Sequence, residues 1–202
     1  LRLSSSLQIW TANLLANHFR RRVPLIVARP GHKAAHDDLR RQYDLPTFIG
    51  CWSGQPLDQQ FSGLLPHLVR RLVGEGRIDH LDLNFGCPVR KVTRKGGGAA
   101  IPAHPRLLAS IIRAAVQAAG GVPVTTKFRM GIDDGHLTHL ESGRISESEG
   151  CAAVTLHART AAQLYDGSAR WHAIGELKEE VSSIPVIGNG DIWVAEDALR
   201  MV

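Results

Sequence analysis

The sequence predicts an α/β fold, and within that class a (β/α)8 barrel rather than an open, doubly wound sheet. From about residue 65 onward, apolar runs of strand length alternate with single amphipathic helices, the pattern of right-handed βαβ units and a parallel sheet. The hydrophobic content of 44% and the charged content of 21% are typical of a globular domain. Alternation alone does not choose between barrel and open sheet. Each strand, however, runs into polar residues that a parallel barrel would gather at one mouth, which favours the barrel.

The first elements each carry a local signal. Residues 64–73 are apolar at helical spacing and are followed by two glycines, and residues 78–84 alternate as a strand. Pro105 opens a helix that ends at Gly120. Its apolar side chains form one broad stripe, at positions 107, 108, 111, 112, 115, 116 and 119. We therefore expect this helix to cover the sheet.

The later elements continue the alternation. A strand at 122–128 has its only proline at the second position, where the missing N–H costs least. The pattern then predicts a helix at 136–150, a strand at 152–157, a helix at 171–181, a strand at 184–187 and a helix from 194. Before residue 65 the one strand-like run is 23–28. The chain is thus expected to hold about five of the eight barrel strands.

The composition divides the chain near residue 65. The first glutamate is Glu75, and Lys33 is the only lysine before Lys91, whereas arginine, serine and glutamine are frequent. Residues 1–65 are left unassigned, as either a variable extension or a segment read out of frame, and residues 66–202 form the barrel domain. The first methionine is Met130, so we expect the chain to be an internal fragment.

Several classes of protein are disfavoured. We find no apolar run long enough to span a membrane and no signal peptide, which predicts a soluble, cytoplasmic protein. The three cysteines form no CxxC pair, and His136, His139 and Cys151 lack the spacing of zinc ligands, so neither disulfides nor a metal site is predicted. The net charge of +5 is compatible with a polyanionic partner but does not establish one.

Two strand ends carry residues that are unusual in a core. Cys87, between Gly86 and Pro88, can exchange a proton or act as a nucleophile, although a cysteine is more commonly a small buried hydrophobe. Lys127 ends an apolar strand, and an amine there needs an anion or an electron-rich ligand to offset its desolvation. The alternative is a lysine that reaches the rim.

The next two strand ends have weaker signals. His157 can donate a hydrogen bond to a cofactor while Arg159 faces a phosphate, or it can be a satisfied core histidine. The run Gly188–Asp191 permits close approach of a ligand, but it also suits an ordinary turn. The flexible basic loop that contains Lys91, Arg94 and Lys95 fits either a nucleic-acid backbone or solvent.

One long motif resembles a known family. The run LDLNFGCPVRKVTRKGGGAA at 81–100 closely resembles the signature of tRNA-dihydrouridine synthases. TKFRMG at 126–131, LHARTAAQ at 156–163 and PVIGNGDI at 185–192 match the same family in the same order. The resemblance covers about residues 65–202.

This resemblance implies an FMN-binding TIM barrel that uses NADPH to reduce the C5=C6 bond of uridines in tRNA, an oxidoreductase acting on CH–CH bonds. Flavin N5 would deliver hydride to C6, and Cys87 would protonate C5. The implied cofactor contacts are Lys127, His157 and the turn residues Asn189, Gly190 and Asp191, with Asn84 and Arg159 as additional contacts. The implied RNA contacts are Lys91, Arg94 and Lys95.

The resemblance also implies that the barrel is truncated at both ends. We find no counterpart of the family's Ala-Pro-Met-x-Gly-x-Thr strand, and its Gly-Arg-Gly phosphate site would lie beyond Val202. The isolated fragment is therefore expected to be inactive. Two alternatives stay open: a flavin barrel acting on a free pyrimidine, similar to dihydroorotate dehydrogenase, and a non-catalytic remnant or RNA-binding fragment. The basic segment after Cys87 favours RNA as substrate.

Overall fold

The structure is a computed structural model that describes residues 57–76 and 78–201. Four strands alternate with helices: α1 (Leu57–Gly74), β1 (Leu81–Asn84), α2 (Arg90–Thr93), a 3-10 helix (Gly98–Ala103), α3 (Pro105–Ala119), β2 (Val124–Arg129), α4 (His139–Ser148), β3 (Ala153–His157), α5 (His172–Glu180), β4 (Val186–Asn189) and α6 (Ala195–Met201). The order of the predicted elements is confirmed throughout this part of the chain. The predicted strand at 23–28 lies outside the described residues.

The four strands form one parallel sheet in the order β1-β2-β3-β4. Neighbours in the sheet are also neighbours along the chain, so this part of the sheet contains no point at which the strand order reverses, the feature that marks a doubly wound sheet. The predicted partial (β/α)8 barrel is confirmed. Residues 57–76 and 78–201 contribute four strands to it rather than the five expected from the whole chain.

Element bounds differ from the predictions where the backbone has other partners. The helix predicted from residue 136 begins at His139, because the segment before it folds back and the N–H groups of Thr138 and His139 both donate to the carbonyl of Met130. β4 begins at Val186 because Pro185 has no N–H, and it continues to Asn189, whose carbonyl accepts from Ala158 N–H. The fourth strand therefore reaches further toward the polar turn than predicted.

The two faces of the sheet have opposite character. Side chains alternate along each strand, and those that face the helices are buried and apolar, as for Leu81, Phe128 and Leu156. The predicted stripe of α3 packs against this face, with Leu108 and Ile112 both fully buried. The opposite face, here called the inner face, carries Asp82, Asn84, Thr125, Lys127, Thr155, His157 and Asn189. Packing on one side thus presents polar groups on the other.

None of the described helices combines the length and the apolar character needed to cross a bilayer.

Candidate active site

The parallel register brings the predicted residues to one edge of the sheet. Asn84 pairs with Lys127, and His157 pairs with Arg129 on one side and Asn189 on the other. Since all strands run in the same direction, these positions are the carboxyl ends of four neighbouring strands. Residues that are far apart in sequence therefore lie along one edge of the sheet.

Lys127 is the buried cation of this edge. Its Nζ donates to Asn189 Oδ1 at 3.0 Å, so two of the predicted cofactor residues contact each other directly. The pKa of Lys127 is lowered to about 8, because burial and, to a smaller extent, the charge of Arg129 lower it more than the carboxylate of Asp82 raises it. An ammonium has three donor hydrogens. Asn189 is the one acceptor found for them among the described residues, which leaves donor capacity for a ligand.

Asp82 lies deeper on the inner face than Lys127. Thr125 Oγ1 donates to its Oδ1 at 2.7 Å, and the same hydroxyl lies 2.8 Å from His80 Nε2. Burial raises the pKa of Asp82, while Thr125, His80 and Lys127 lower it. The carboxylate therefore supplies a negative charge that partly balances Lys127.

His157 is a neutral imidazole in a cationic environment. Burial lowers its pKa to about 3, and the charges of Lys127, Arg129 and Arg159 act in the same direction. Its Nε2 is buried and has no hydrogen-bond partner among the described residues. Buried polar atoms are rarely left unpaired, so Nε2 is available to a ligand at this edge.

The backbone around Cys87 is held from several sides. Asn84 Oδ1 accepts from Gly86 N–H at 2.8 Å, and the Cys87 carbonyl accepts from Ala99 N–H at 3.0 Å. Gly98, with φ of +55°, packs so closely that an added Cβ would lie 2.6 Å from the Cys87 oxygen. The Cys87 side chain is only half-buried. Asn84, predicted as a cofactor contact, thus also fixes the turn that carries the thiol.

Cys151 provides a contrast within the same chain. It is buried among the helices, where burial raises the pKa of its thiol to about 12 and the hydroxyls of Thr126 and Ser146 lower it. This thiol stays protonated and lies on the helix-packed side, unlike Cys87. Cys51 lies outside the described residues.

The turn after β4 is held by an ion pair. Arg159 Nη2 contacts Asp191 Oδ1 at 2.6 Å and donates to the Gly167 carbonyl at 2.9 Å, and Asp191 Oδ2 accepts from Ala169 N–H at 2.6 Å. Gly190, with φ of +125°, lies against Ala169, and its added Cβ would also reach 3.7 Å from the His157 ring. Two predicted cofactor residues, Arg159 and Asp191, therefore bind each other, and the expectation that Arg159 faces a phosphate stays a prediction.

The basic segment is more ordered than expected. The prediction of a flexible loop is wrong for residues 90–93, which form α2, and Gly97 N–H donates back to the Val92 carbonyl. Lys91, Arg94 and Lys95 are exposed on this turn, a few residues beyond Cys87. They form a compact basic surface beside the mouth of the site.

Sequence reasoning missed Asp82 and Arg129 as members of the site. Both signals were available, because Asp82 lies two residues before Asn84 and Arg129 two residues after Lys127, the spacing that puts strand residues on one face. No group of three or more histidine, cysteine or acidic side chains in the described ranges has the geometry of a metal site.

These residues fit a flavin as resident cofactor. A planar, electron-rich ring and a phosphate need buried donors and cations rather than metal ligands, and this edge offers the remaining donors of Lys127 and the unpaired Nε2 of His157. Gly190 keeps the surface beside the imidazole free of a side chain. The donor set is therefore appropriate for that group.

Comparison with known proteins gives a consistent result. Residues 62–202 match the model of the dihydrouridine synthase (Dus) family. The chain is 61% identical over 135 residues to a probable tRNA-dihydrouridine synthase of Mycobacterium tuberculosis, covering 66% of this chain and 35% of that protein. It is 44% identical over 130 residues to probable tRNA-dihydrouridine synthase 1 of Synechocystis, covering 64% and 36%. It is 40% identical over 136 residues to tRNA-dihydrouridine synthase B of Klebsiella pneumoniae, covering 66% and 42%. The chain spans about a third of the length of the first of these relatives.

Proposed function

The chain belongs to the dihydrouridine synthase family, and we propose that its full-length protein reduces the C5=C6 bond of uridines in tRNA, with FMN as resident cofactor and NADPH as reductant. Residues 66–202 are the part of the flavin-binding barrel that carries the reacting groups, and the protein acts in the cytoplasm. One observation carries the proposal: the register of four parallel strands gathers Asn84, Lys127, His157 and Asn189 at one edge, with Cys87 three residues beyond Asn84.

Lys127, His157 and Asn189 would hold the flavin. When bound and reduced, FMN supplies the hydride equivalent that C6 of the base accepts. Lys127 is cationic below pH 8 and donates to electron-rich ligand atoms, while His157 stays neutral and uses its unpaired Nε2. The backbone turn at Gly190 and the ion pair of Asp191 with Arg159 shape the adjoining wall. These contacts orient the ring and exclude water.

Cys87 would complete the reduction. Addition at C6 leaves negative charge at C5, beside the C4 carbonyl, and that carbon needs an acid within reach. The S–H bond of Cys87 breaks, the proton forms the new bond to C5, and the charge moves to sulfur. Solvent can return a proton because the side chain is only half-buried. The base keeps this proton at C5 together with the hydride at C6, and the thiol, once reprotonated by solvent, returns to its starting state.

The basic turn is the proposed tRNA contact. Lys91, Arg94 and Lys95 are exposed beside the segment that carries Cys87, so phosphate contacts here would bring the polynucleotide to the thiol. A free pyrimidine carries no phosphate that such a basic surface could contact. This feature distinguishes the proposal from a barrel that acts on free bases.

The test uses the product of the complete open reading frame, incubated with NADPH and either unmodified tRNA, free uracil or orotate. Dihydrouridine measured by mass spectrometry of digested tRNA should appear with the first substrate only, and its yield should fall with added salt. Reduction of free bases in preference to tRNA, or no reduction of any substrate by a yellow preparation, would reject the proposal.

A further inference from the structure

Arg129, the last residue of β2, joins two loops at the active edge. Its Nε donates to the Gly86 carbonyl at 3.1 Å, and its Nη1 donates to the carbonyls of Thr160 at 3.0 Å and Leu164 at 2.8 Å. Arg129 is 4% exposed. One buried guanidinium therefore ties the end of β1 to the loop that follows β3.

The charge of Arg129 is not neutralised as that of Arg159 is. Arg159 is ion-paired with Asp191 at 2.6 Å, whereas no carboxylate in the part of the chain that the structure describes forms an ion pair with Arg129. Burial lowers the pKa of Arg129, and the partners that raise it are Tyr165, whose ring centroid lies 5.4 Å away, and Cys87. Carbonyl oxygens and an aromatic ring offset a buried charge less well than a carboxylate does, so the site retains a cation without an ion-pair partner next to the segment that carries the thiol.

The contact with Gly86 acts on the residue next to Cys87. The Gly86 peptide is held on its N–H side by Asn84 and on its carbonyl side by Arg129. Asn84 is the last residue of β1, two positions before Gly86, and Ala99, which holds the Cys87 carbonyl, follows along the same segment. The backbone bond from Phe85 N–H to the Lys127 carbonyl at 2.7 Å ties this segment to β2, and Arg129 adds a side-chain contact that extends to the loop after β3, the strand that carries His157.

We propose that Arg129 is a positioning residue that holds Cys87 against the strand ends carrying Lys127 and His157 and stabilises the thiolate formed when Cys87 gives its proton to the base. The proposal rests on the proposed function for its chemical meaning. The part that concerns the position of Cys87 applies to the protein without bound cofactor or tRNA. A guanidinium suits this role because its rigid planar fork holds several carbonyls in a fixed arrangement, whereas an ammonium on a flexible stem does not.

The test compares Arg129→Gln and Arg129→Lys in the full-length protein, with Arg113→Gln as control. Arg113 is an exposed arginine paired with Glu149 on the helical side. Cys51→Ser and Cys151→Ser form the common background, and alkylation by iodoacetamide at fixed pH is followed on the peptide that contains Cys87 by mass spectrometry. The other readouts are FMN affinity by fluorescence titration, kcat and KM for tRNA, and circular dichroism.

We expect Arg129→Gln to stay folded and to leave KM for tRNA almost unchanged. The rate of Cys87 alkylation and kcat should both fall by about tenfold or more, the effect of losing a charge-assisted contact. Arg129→Lys should recover much of the alkylation rate, through its charge, but little of kcat. Arg113→Gln should match the background protein in every readout.

Unchanged alkylation and kcat in Arg129→Gln would overturn the inference, and so would loss of folding in both Arg129 variants, which would assign the residue to stability alone. Because alkylation needs no turnover, a protein that makes no dihydrouridine but shows the expected alkylation pattern would reject the proposed function and still support the positioning of Cys87.

Discussion

Burial of the Lys127 side chain brings the pKa of its amine close to neutral pH. A lysine placed in an apolar strand loses hydration, and its neighbours Arg129 and Asp82 act on its charge in opposite directions, which leaves its pKa at about 8. The ammonium is therefore present at neutral pH but is lost only slightly above it. An opposing ligand charge would stabilise the protonated form, so the proposed flavin binding should be coupled to Lys127 protonation.

Replacing Lys127 by Met should weaken FMN binding at pH 7 by about ten- to a hundredfold, the loss of one charge-assisted contact. In the wild-type protein, affinity should decline as pH rises through and above about 8, because deprotonation removes the bound cation, and in the variant this decline should be absent. Fluorescence titrations between neutral and alkaline pH measure both effects. Lys178→Met, at an exposed position of α5, is the control. Equal FMN affinities of the wild type, Lys127→Met and Lys178→Met would mean that Lys127 does not contact the cofactor.

His157 makes a prediction about acid stability. Its pKa is about 3 when folded and about 6.5 when unfolded, so between these values the unfolded chain binds a proton that the folded protein does not. Stability should therefore fall with decreasing pH below about 6.5, by up to about 1.4 kcal/mol per pH unit from this group. Urea unfolding of wild-type and His157→Gln proteins from pH 7 to pH 4 should show the smaller pH slope in the variant. Replacement of the exposed His172 should not change the slope; identical slopes for the wild type and His157→Gln would contradict the buried neutral imidazole.

Among the helices and strands, the periodicity of apolar residues predicted which faces are buried, and the long motifs predicted the candidate reactive residues. The stripe on α3 identified a buried helix, and strand-end residues such as Lys127 and His157 were found because parallel strands share one direction. Backbone bounds such as the start of α4 depend on N–H groups that donate to the carbonyl of another turn, here that of Met130, and such contacts leave no local signal. The pairing of Arg159 with Asp191 also joins residues far apart in sequence. Such contacts depend on the assembled turns rather than on local pattern.

The 3-10 helix that begins at Gly98 supports the segment carrying Cys87. Gly98→Ala should destabilise the protein by more than about 1 kcal/mol, since φ is +55° and the new Cβ would meet the Cys87 carbonyl at 2.6 Å. Displacing that carbonyl should also lower kcat more than FMN affinity. Gly175→Ala is the matched control, because nothing lies within 4 Å of its added Cβ in the middle of α5. Gly175→Ala should raise the free energy of unfolding by about 0.5–1 kcal/mol. Urea unfolding and steady-state assays measure both variants, and a Gly98→Ala protein that is as stable and active as Gly175→Ala would contradict this role of Gly98.

The candidate site is expected to bind its cofactor and substrate only when the barrel is closed. Within the described ranges the outer edges of β1 and β4 have no strand partner, and large apolar side chains beside β4, such as Trp193 and Leu199, are 74% and 79% exposed. Open edges and apolar surface favour association. Residues 1–202 expressed alone should therefore be poorly soluble or associated, bind FMN weakly if at all and form no dihydrouridine. Light scattering, flavin absorbance and tRNA digestion check this, and a monomeric, yellow, active preparation would show that residues 1–56 complete the barrel.

The proposed function requires one edge of the sheet to combine a flavin site with a proton donor, Cys87. An anaerobic single turnover tests this combination: the full-length protein is reduced with NADPH and then mixed with unmodified tRNA while flavin absorbance is followed. Cys87→Ala should accept electrons from NADPH at the wild-type rate but pass them to tRNA at least about a hundredfold more slowly, the typical contribution of a general acid, whereas Cys151→Ser should match the wild type in both steps. Reoxidation of Cys87→Ala by tRNA at the wild-type rate would contradict the account.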